Sequence, residues 1–489
     1  MTEKQTRAPH ADEFVAGRPI VFRNATVITV DTPGTLENAD VLITGDTITA
    51  VGPKLEVPAD ALEIDATGGI ITPGFIDTHR HMWQTNLRGY GGDWALSQYF
   101  VFYYLEHGFA FRPEDIYAGN LLSALESVDT GVTTTLDWSH GLRSLDHGEA
   151  ALQALKDIPG RFVFAYGNHM GSPNDWATDP AFKKFLSDNI GKHELIDFEI
   201  AFDVTGAPEF PEEGGFKTAR EFDLRVTTHA GVWGATTDAS IDQMWDAGYM
   251  DDKVTYVHAT SLGESSYQKI AASGGTVSVA TESEQSAGQG YPSTWTIRKH
   301  GIPASLSMDT SVWWSADFFS AMRATLSADR SRDHLEAHAK NETIVANRLT
   351  AGDVLRMATM GGAKSIGREH DLGSITPGKK ADLLLIKNDE SPAMTPIVYP
   401  EAHVVYQAGT ADIHTVVVNG KVVKYEGKRI GLPLKPIADK VAASVEHVRS
   451  QLGPDAWKAG MHPEIQRDEP IPNPYSYTDG GAAHVQAES

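Results

Sequence analysis

Histidines and one aspartate stand directly after short apolar segments of this chain. His79 and His81 follow GFIDT, His229 closes LRVTTH, His258 closes VTYVH, and Asp309 closes PASLSMD. Residues two apart in an extended chain point to the same side, so His79 and His81 can converge on one ion. A lone histidine after a strand is more often a packed core residue, but here a histidine or aspartate follows several different strands. Imidazoles with a carboxylate suit Zn2+, Fe2+, Co2+ or Mn2+, so the pattern predicts a metal site.

The elements before these residues decide whether the side chains can meet. From Ile71 onward, short apolar strands alternate with helical segments, which is typical of a parallel α/β fold. We predict eight strands, at Gly74–Asp77, Val132–Asp137, Phe162–Tyr166, Phe198–Asp203, Arg225–Thr228, Val254–Val257, Thr276–Ala280 and Ala304–Met308. Eight strand–helix units fit a (β/α)8 TIM-like barrel, which gathers reactive side chains at the carboxyl ends of its strands.

The two ends of the chain carry a different pattern. Short β-like runs punctuated by Gly, Asp, Asn and Pro lie before Ile71 and again after Gly367, with a hairpin signal at Asn419–Gly420. We therefore predict an α/β protein whose barrel is inserted into a small β-sandwich domain built from both ends. The predicted boundaries are 1–70 and 367–432 for the small domain, 71–366 for the barrel, and 433–489 for a C-terminal helix and extended tail.

Composition narrows the class of protein. The 489 residues include 41 basic and 65 acidic side chains, a net charge of −24, which disfavours nucleic acid and membrane partners. The chain has no cysteine, which excludes disulfides, a thiolate nucleophile and Cys-ligated metals. The N-terminal residues lack an apolar signal core, and no run of about 18 apolar residues is present. A cytoplasmic enzyme with a small-molecule substrate is expected.

The ordered set of motifs resembles the amidohydrolase superfamily. The matching pieces are ITPGFIDTHRH, the two later histidines, SMDT and GSITPGKKADLLLI, over about residues 19–425. The sequence looks most similar to the branch that holds cytosine deaminase and the triazine and phenylurea hydrolases. The resemblance implies one divalent metal, Zn2+ first, with Fe2+, Co2+ or Mn2+ as alternatives. Its implied ligands are His79, His81, His229 and Asp309, and His258 is implied to polarise the substrate or hold the metal-bound water.

Two departures from the family pattern bear on the reaction. Two-metal relatives carry a bridging lysine after the fourth strand, whereas FEIAFDVTGAPEF here has none, which favours a single metal. Deaminases of this branch usually carry His-x-x-Glu after the fifth strand, and here the fourth residue is Val232. Valine cannot move a proton, so cleavage of an amide, urea or carbamate is favoured over ring deamination.

A proton donor must then come from elsewhere. Glu282 and Glu284 follow the seventh predicted strand, and we rank Glu282 first because it lies closer to the strand end. The alternative for each glutamate is a solvated loop acid. His140 and His169 follow the second and third strands and could also reach the site. The sequence does not decide among these groups.

The predicted reaction is hydrolysis of a C–N bond through a metal-bound hydroxide, with Asp309 as proton acceptor, His258 as polarising group and Glu282 as acid. Aromatic residues cluster near the same strand ends and favour a small aromatic or apolar substrate. The alternatives are an aminohydrolase acting on an amino-heterocycle, a non-catalytic scaffold of the same fold, and a lyase or isomerase step at the same metal. Relatives often form dimers or larger assemblies, so a homo-oligomer is expected.

Overall fold

The computed structural model describes residues 9–15, 17–168, 174–232, 236–462 and 464. Strands in this part of the chain are β1 Ile20–Ile28, β2 Thr35–Thr44, β3 Thr47–Gly52, β4 Leu62–Asp65, β5 Ile70–Pro73, β6 Phe75–Arg80, β7 Val132–Leu142, β8 Arg161–Asn168, β9 Ile196–Ala201, β10 Arg225–Ala230, β11 Val254–His258, β12 Thr276–Val279, β13 Ala304–Leu306, β14 Leu383–Ile386, β15 Ile413–Val418, β16 Lys421–Tyr425 and β17 Lys428–Arg429.

Helices follow most of the central strands. The α-helices are α1 Leu96–Phe100, α2 Pro113–Asp129, α3 Leu145–Lys156, α4 Pro180–Asn189, α5 Glu213–Glu221, α6 Thr236–Asp246, α7 Glu264–Ser273, α8 Thr281–Ser286, α9 Thr294–His300, α10 Phe318–Ala339, α11 Ala351–Arg356, α12 Gly362–Ser365, α13 Pro400–Tyr406, α14 Leu434–Leu452 and α15 Pro454–Gly460. Two π-helical stretches, Val101–His107 and Met357–Gly361, directly follow α1 and α11. No helix among the described residues is long and apolar enough to cross a membrane.

Strands β6 to β13 form a parallel barrel in chain order. The first and last strands are joined by a bridge between Arg80 and Asp309. The amide of His81 donates to the carbonyl oxygen of Asp309 at 2.7 Å, and the amide of Asp309 donates to that of His79 at 2.9 Å. Closure therefore brings the His79–His81 segment and Asp309 to one place.

Burial on both faces explains the apolar runs of the barrel strands. Strand β7 is buried along its whole length. Its Leu136 and Trp138 belong to an interior cluster with Ile76, Val163 and Ala201, and its Val132 and Leu142 belong to the larger core. Parallel strands that are covered on both faces are buried in this way, which favours apolar runs.

The second sheet contains β1–β5 and β14–β17. Strand β14 runs antiparallel to β5, which joins the segment before the barrel to the segment after it. Asn419 and Gly420 connect β15 to β16 with φ of 49° and 75°, the conformation that an Asn-Gly hairpin favours. A Cβ on Gly420 would lie 1.9 Å from the carbonyl oxygen of Gly45, so this turn also needs glycine for space.

The predicted fold class is confirmed: an α/β barrel of eight parallel strands accompanies a separate β domain. The domain boundaries given above stay predictions, and most of the predicted tail lies outside the described residues. All eight predicted carboxyl ends differ from the observed ones by one to five residues, and two of these differences bear on candidate site residues. Strand β7 extends to Leu142, so His140 lies inside a strand, and β9 ends at Ala201 rather than Asp203.

Candidate active site

Four side chains converge at the carboxyl ends of the barrel strands. Nε2 of His79 lies 3.3 Å from Nε2 of His229 and 3.4 Å from Oδ1 of Asp309. The same Asp309 oxygen lies 3.4 Å from Nε2 of His81. Ligands about 2.1 Å from a tetrahedral metal are about 3.4 Å from each other, so this spacing fits one ion.

Hydrogen bonds on the far side of two imidazoles fix which nitrogen faces the cluster. Nδ1 of His81 donates to the carbonyl oxygen of Trp138 at 2.9 Å. Nδ1 of His229 donates to Oδ1 of Asp203 at 2.7 Å. Both acceptors keep the proton of the neutral ring on Nδ1, which leaves the lone pair of Nε2 for a metal.

For His79, His81 and Asp309, the electrostatics favour the protonation states that bind a cation. Burial lowers the pKa of His79 well below its usual value and that of His81 to about 4, so both rings are neutral. Burial would lower the pKa of His229, but Asp203 outweighs it and raises the pKa. Burial likewise would raise the pKa of Asp309, but the neighbouring imidazoles lower it and keep the carboxylate ionised.

Backbone strain is concentrated at two of these positions. His258 has φ of 72° and Asp309 has φ of 60°, a left-handed conformation that non-glycine residues rarely adopt. Such residues cost about 1–3 kcal/mol each and persist where the surrounding structure holds them. The two backbone hydrogen bonds that close the barrel hold Asp309 in this conformation. The strain therefore serves to direct functional side chains.

His258 lies beside the four-residue cluster and is supported by a buried glutamate. Its ring is grouped with those of His79 and His229, with nitrogen atoms within 4.8 Å of one another. Nδ1 of His258 donates to Oε1 of Glu284 at 3.3 Å, and the amide of Ala280 donates to the same oxygen at 2.7 Å. Burial raises the pKa of Glu284. The Glu284 carboxylate thus orients His258.

The structure does not bring Glu282 into this cluster. Burial raises its pKa to about 7, and its charged neighbours are Asp317 and Arg323. Helix α8 begins at Thr281, and two residues apart on a helix differ by about 200° in direction. Glu282 and Glu284 therefore point to opposite sides, and helical register rather than distance from the strand end decides which one meets the site.

His140 lies against this cluster of histidine and aspartate side chains without being part of it. Its ring centroid is 3.9 Å from that of His81. Nε1 of Trp83 donates to Nδ1 of His140 at 3.1 Å, and the hydroxyl of Tyr99 lies 3.2 Å from Nε2. Both ring nitrogens thus contact neighbouring side chains. The other histidine considered from sequence, His169, lies outside the described residues.

A cavity of about 260 Å³ opens over the cluster. Its lining comprises apolar side chains, hydroxyl and amide groups, and the site residues themselves: Leu96, Phe100, Val204, Val232, Trp313, Tyr99, Tyr104, Thr205, Ser240, Gln289, Asp203, His81, His229, His258 and Asp309. No lysine or arginine is among the described residues that line it. The cavity suits a neutral aromatic or apolar molecule better than an anion.

Comparison with known protein families shows which family has this combination of fold and site. The model of the amidohydrolase family matches residues 70–423, more than half of the chain. The chain belongs to the amidohydrolase family. This confirms the resemblance seen in the sequence and the predicted enzyme class, a hydrolase that acts on carbon–nitrogen bonds. The family uses a divalent metal, and the His/Asp cluster of this amidohydrolase fits one.

Curated relatives of this amidohydrolase match it over most of its length. It is 25% identical over 457 residues to 5'-deoxyadenosine deaminase of Methanosarcina mazei, covering 88% of this chain and 99% of that protein. It is 28% identical over 434 residues to 5-methylthioadenosine/S-adenosylhomocysteine deaminase of Pelotomaculum thermopropionicum, covering 83% and 93%.

Two solved structures share the fold. A zinc-bound adenosine deaminase from Xanthomonas campestris superposes with a TM-score of 0.75 at 20% identity, covering 89% of this amidohydrolase and 99% of that chain. Zinc-bound atrazine chlorohydrolase from Arthrobacter aurescens superposes with a TM-score of 0.74 at 23% identity, covering 87% and 100%. At these identities the likeness establishes the fold alone.

Sequence reasoning missed Asp203 as a site residue of this amidohydrolase. It considered the segment after the fourth strand only for a missing lysine. The available signal was a carboxylate just beyond a strand whose neighbour in the barrel carries His229. Adjacent parallel strands place such residues side by side, so Asp203 could have been proposed as the partner of that imidazole.

Proposed function

We propose that this amidohydrolase hydrolyses a C–N bond in an amide, urea, carbamate or similar group of a small aromatic or apolar molecule. One zinc ion is held by His79, His81, His229 and Asp309. The observation that carries the proposal lies at the floor of a largely apolar cavity: Nε2 of His79 is 3.3 Å from Nε2 of His229 and 3.4 Å from Oδ1 of Asp309, which is also 3.4 Å from Nε2 of His81. Fe2+, Co2+ and Mn2+ are the alternative ions for the same ligands.

A bound divalent metal supplies a Lewis acid and lowers the pKa of a water ligand. Asp309 accepts the proton of the attacking water and delivers it to the leaving nitrogen. In this role His258 carries protons on both ring nitrogens: Nδ1 donates to Glu284, which keeps the ring oriented, and Nε2 donates to the substrate oxygen on which negative charge develops. Glu282, the acid favoured by sequence, has no part in this proposal because its side chain does not line the cavity.

The second candidate is deamination of an amino-heterocycle. It is favoured by the curated relatives, which are named as deaminases and match more than 80% of this chain. Val232 argues against it, because this side chain lines the cavity where deaminases of the resembling branch usually carry a proton-transferring glutamate. The two candidates differ in the bond that is broken and therefore in the product.

The test uses zinc-loaded enzyme with acetanilide and 4-aminopyrimidine in water enriched in 18O. The proposal expects aniline and 18O-labelled acetate from acetanilide, and no ammonia from 4-aminopyrimidine. Ammonia from 4-aminopyrimidine without turnover of acetanilide would favour the deaminase instead. Products formed without 18O would contradict hydrolysis and support a lyase or isomerase step. His79→Ala is the control that must lose the activity.

The predicted cytoplasmic location and homo-oligomeric state belong to the same proposal. Light scattering of the purified protein measures its mass in solution. A mass of 53 kDa, that of one chain, would contradict the oligomer.

A further inference from the structure

One wall of the cavity comes from the connection between β6 and α2. Its residues 96–107, which we call the wall segment, comprise α1 and the π-helix Val101–His107. Four of its side chains line the cavity: Leu96, Tyr99, Phe100 and Tyr104. π-helices are rare and are mostly single-turn insertions in α-helices, so the wall segment has an unusual backbone.

Helices α14 and α15, the C-terminal helix pair, supply hydrogen bonds to this connection. Nε1 of Trp94 donates to the carbonyl oxygens of Gly460 and Met461 at 3.0 and 3.1 Å. The hydroxyl of Tyr90 donates to the carbonyl oxygen of Trp457. Trp94 is 2% exposed, so its bond to α15 lies within the protein interior and not on its surface.

A second set of bonds joins α14 to both ends of the same connection. The side chain of Asn86 donates to Oγ of Ser444 at 2.8 Å. The ring of His447 contacts the carbonyl oxygen of Ala110 at 3.2 Å. The helix pair thus holds the connection both before and after the wall segment.

A continuous series of aromatic rings in tilted and edge-to-face contact links α15 to the cavity. The ring of Trp457 lies 4.6 Å from that of Tyr90, which lies 5.1 Å from Phe102. Phe102 lies 5.0 Å from Tyr103, which lies 5.3 Å from Tyr99 in the cavity wall. Close-packed interiors transmit displacements, so a shift of α15 must move Tyr99 or open a gap along this path.

We propose that the C-terminal helix pair positions the wall segment and thereby sets the affinity of the cavity for aromatic substrates. The helix pair lies beyond residues 70–423, the part of the chain that the family model matches. Selectivity would then be set partly by an element outside the catalytic barrel. The proposal takes the cavity to be the substrate site of the proposed function.

Gly460 gives the sharpest test of this proposal. A Cβ at this position would lie 2.4 Å from the hydroxyl of Tyr90 and 3.0 Å from the ring of Phe102, so Gly460→Ala must displace α15 or those rings. The matched control is Gly352→Ala in α11, where an added Cβ meets only Oγ1 of Thr350 at 3.8 Å. Trp94→Phe is a milder second variant, which keeps a ring and removes the indole N–H.

The first readout is hydrogen–deuterium exchange of the zinc-loaded protein without substrate. Gly460→Ala and Trp94→Phe are expected to speed exchange in residues 96–107 and to leave β7, residues 132–142, unchanged. Gly352→Ala should match the unmodified protein in both segments. Unchanged exchange in 96–107 in both folded variants would overturn the proposal.

The second readout compares acetanilide with N-methylacetamide, an amide that lacks the ring. Gly460→Ala is expected to raise the KM for acetanilide about 3- to 10-fold, which corresponds to the loss of one aromatic contact. The kcat for acetanilide, the KM for N-methylacetamide and the zinc content are expected to stay nearly unchanged. Equal weakening of both probes would contradict a role in aromatic selectivity. If wild type does not bind acetanilide, the proposed function fails, whereas the exchange result still decides whether the helix pair positions the wall.

Discussion

For each of the three candidate histidine ligands, a hydrogen-bond partner or burial determines where the ring is protonated or whether it is charged. Trp138 and Asp203 accept hydrogen bonds from Nδ1 of His81 and of His229, and burial keeps the pKa of His79 low. We therefore expect Asp203 to support metal binding by His229 without being a ligand itself. Such outer partners commonly change metal affinity or activity by about 10- to 100-fold when removed.

Glu284 and Glu282 give a matched pair for testing which carboxylate serves the site. Glu284→Gln is expected to lower kcat/KM about 10- to 100-fold on the best substrate found, because His258 loses its carboxylate partner. Glu282→Gln is expected to change kcat/KM less than about 3-fold, because the Glu282 side chain does not line the cavity. Steady-state kinetics of both variants decides. The reverse ranking would restore the assignment made from sequence.

The candidate ligands were predictable at this scale, while their supporting residues were not. A histidine or aspartate that follows an apolar strand is visible in the sequence, since strand ends need no knowledge of packing. The choice between Glu282 and Glu284 required the start of α8 at Thr281, and helix starts are poorly fixed by sequence. The placement of these residues as ligands and acids stays a prediction.

At the scale of the elements, β9 carries a buried acid that the proposed reaction does not use. The carboxylate of Glu199 has no hydrogen-bond partner among the described residues, and Nε of Arg225 on β10 lies 3.8 Å away. Burial raises the pKa of Glu199 to about 7, although Arg225 partly offsets this. The folded protein therefore holds a proton that the unfolded chain, with a pKa near 4.5, releases.

This raised pKa predicts a pH-dependent stability. The contribution of Glu199 is fully present below about pH 4.5 and is lost as the pH rises through about 7. Glu199→Gln, which stays neutral, is expected to gain stability relative to wild type between pH 5 and 8.5, on the order of 3 kcal/mol. Denaturant unfolding at the two pH values measures this.

The control for this change is Glu209→Gln, because Glu209 is exposed and loses the same charge. Its stability relative to wild type should not vary with pH by more than a few tenths of a kcal/mol. If Glu199→Gln tracks wild type at both pH values, Glu199 is not a buried acid with a raised pKa.

The barrel strands were predictable because their apolar runs are short, separated and punctuated by turn residues. All eight predicted strands have more than half of their residues within the observed ones, and the largest error is the end of β7 at Leu142 rather than Asp137. The wall segment and its contacts with α15 were not predictable. They depend on which rings of residues 90–103 meet Trp457, and sequence spacing carries no information on such distant pairs.

At the scale of the whole molecule, one sheet joins the segment before the barrel to the segment after it. Leu383–Ile386 pairs antiparallel with Ile70–Pro73, the strand directly before the barrel. Arg161, at the start of β8, forms a buried ion pair with Asp382 at 2.9 Å, which fastens this sheet to the barrel. The matching β patterns at both ends of the sequence predicted the shared domain, but not these contacts.

We propose that each chain holds one zinc ion, bound by His79, His81, His229 and Asp309. Elemental analysis of protein that is purified without added metal, loaded with zinc and desalted measures this stoichiometry. Wild type is expected to hold about one equivalent, and His79→Ala and Asp309→Asn well under half. His370→Ala, at an exposed histidine, should match wild type. Two equivalents in wild type, or full zinc in both ligand variants, would contradict the account.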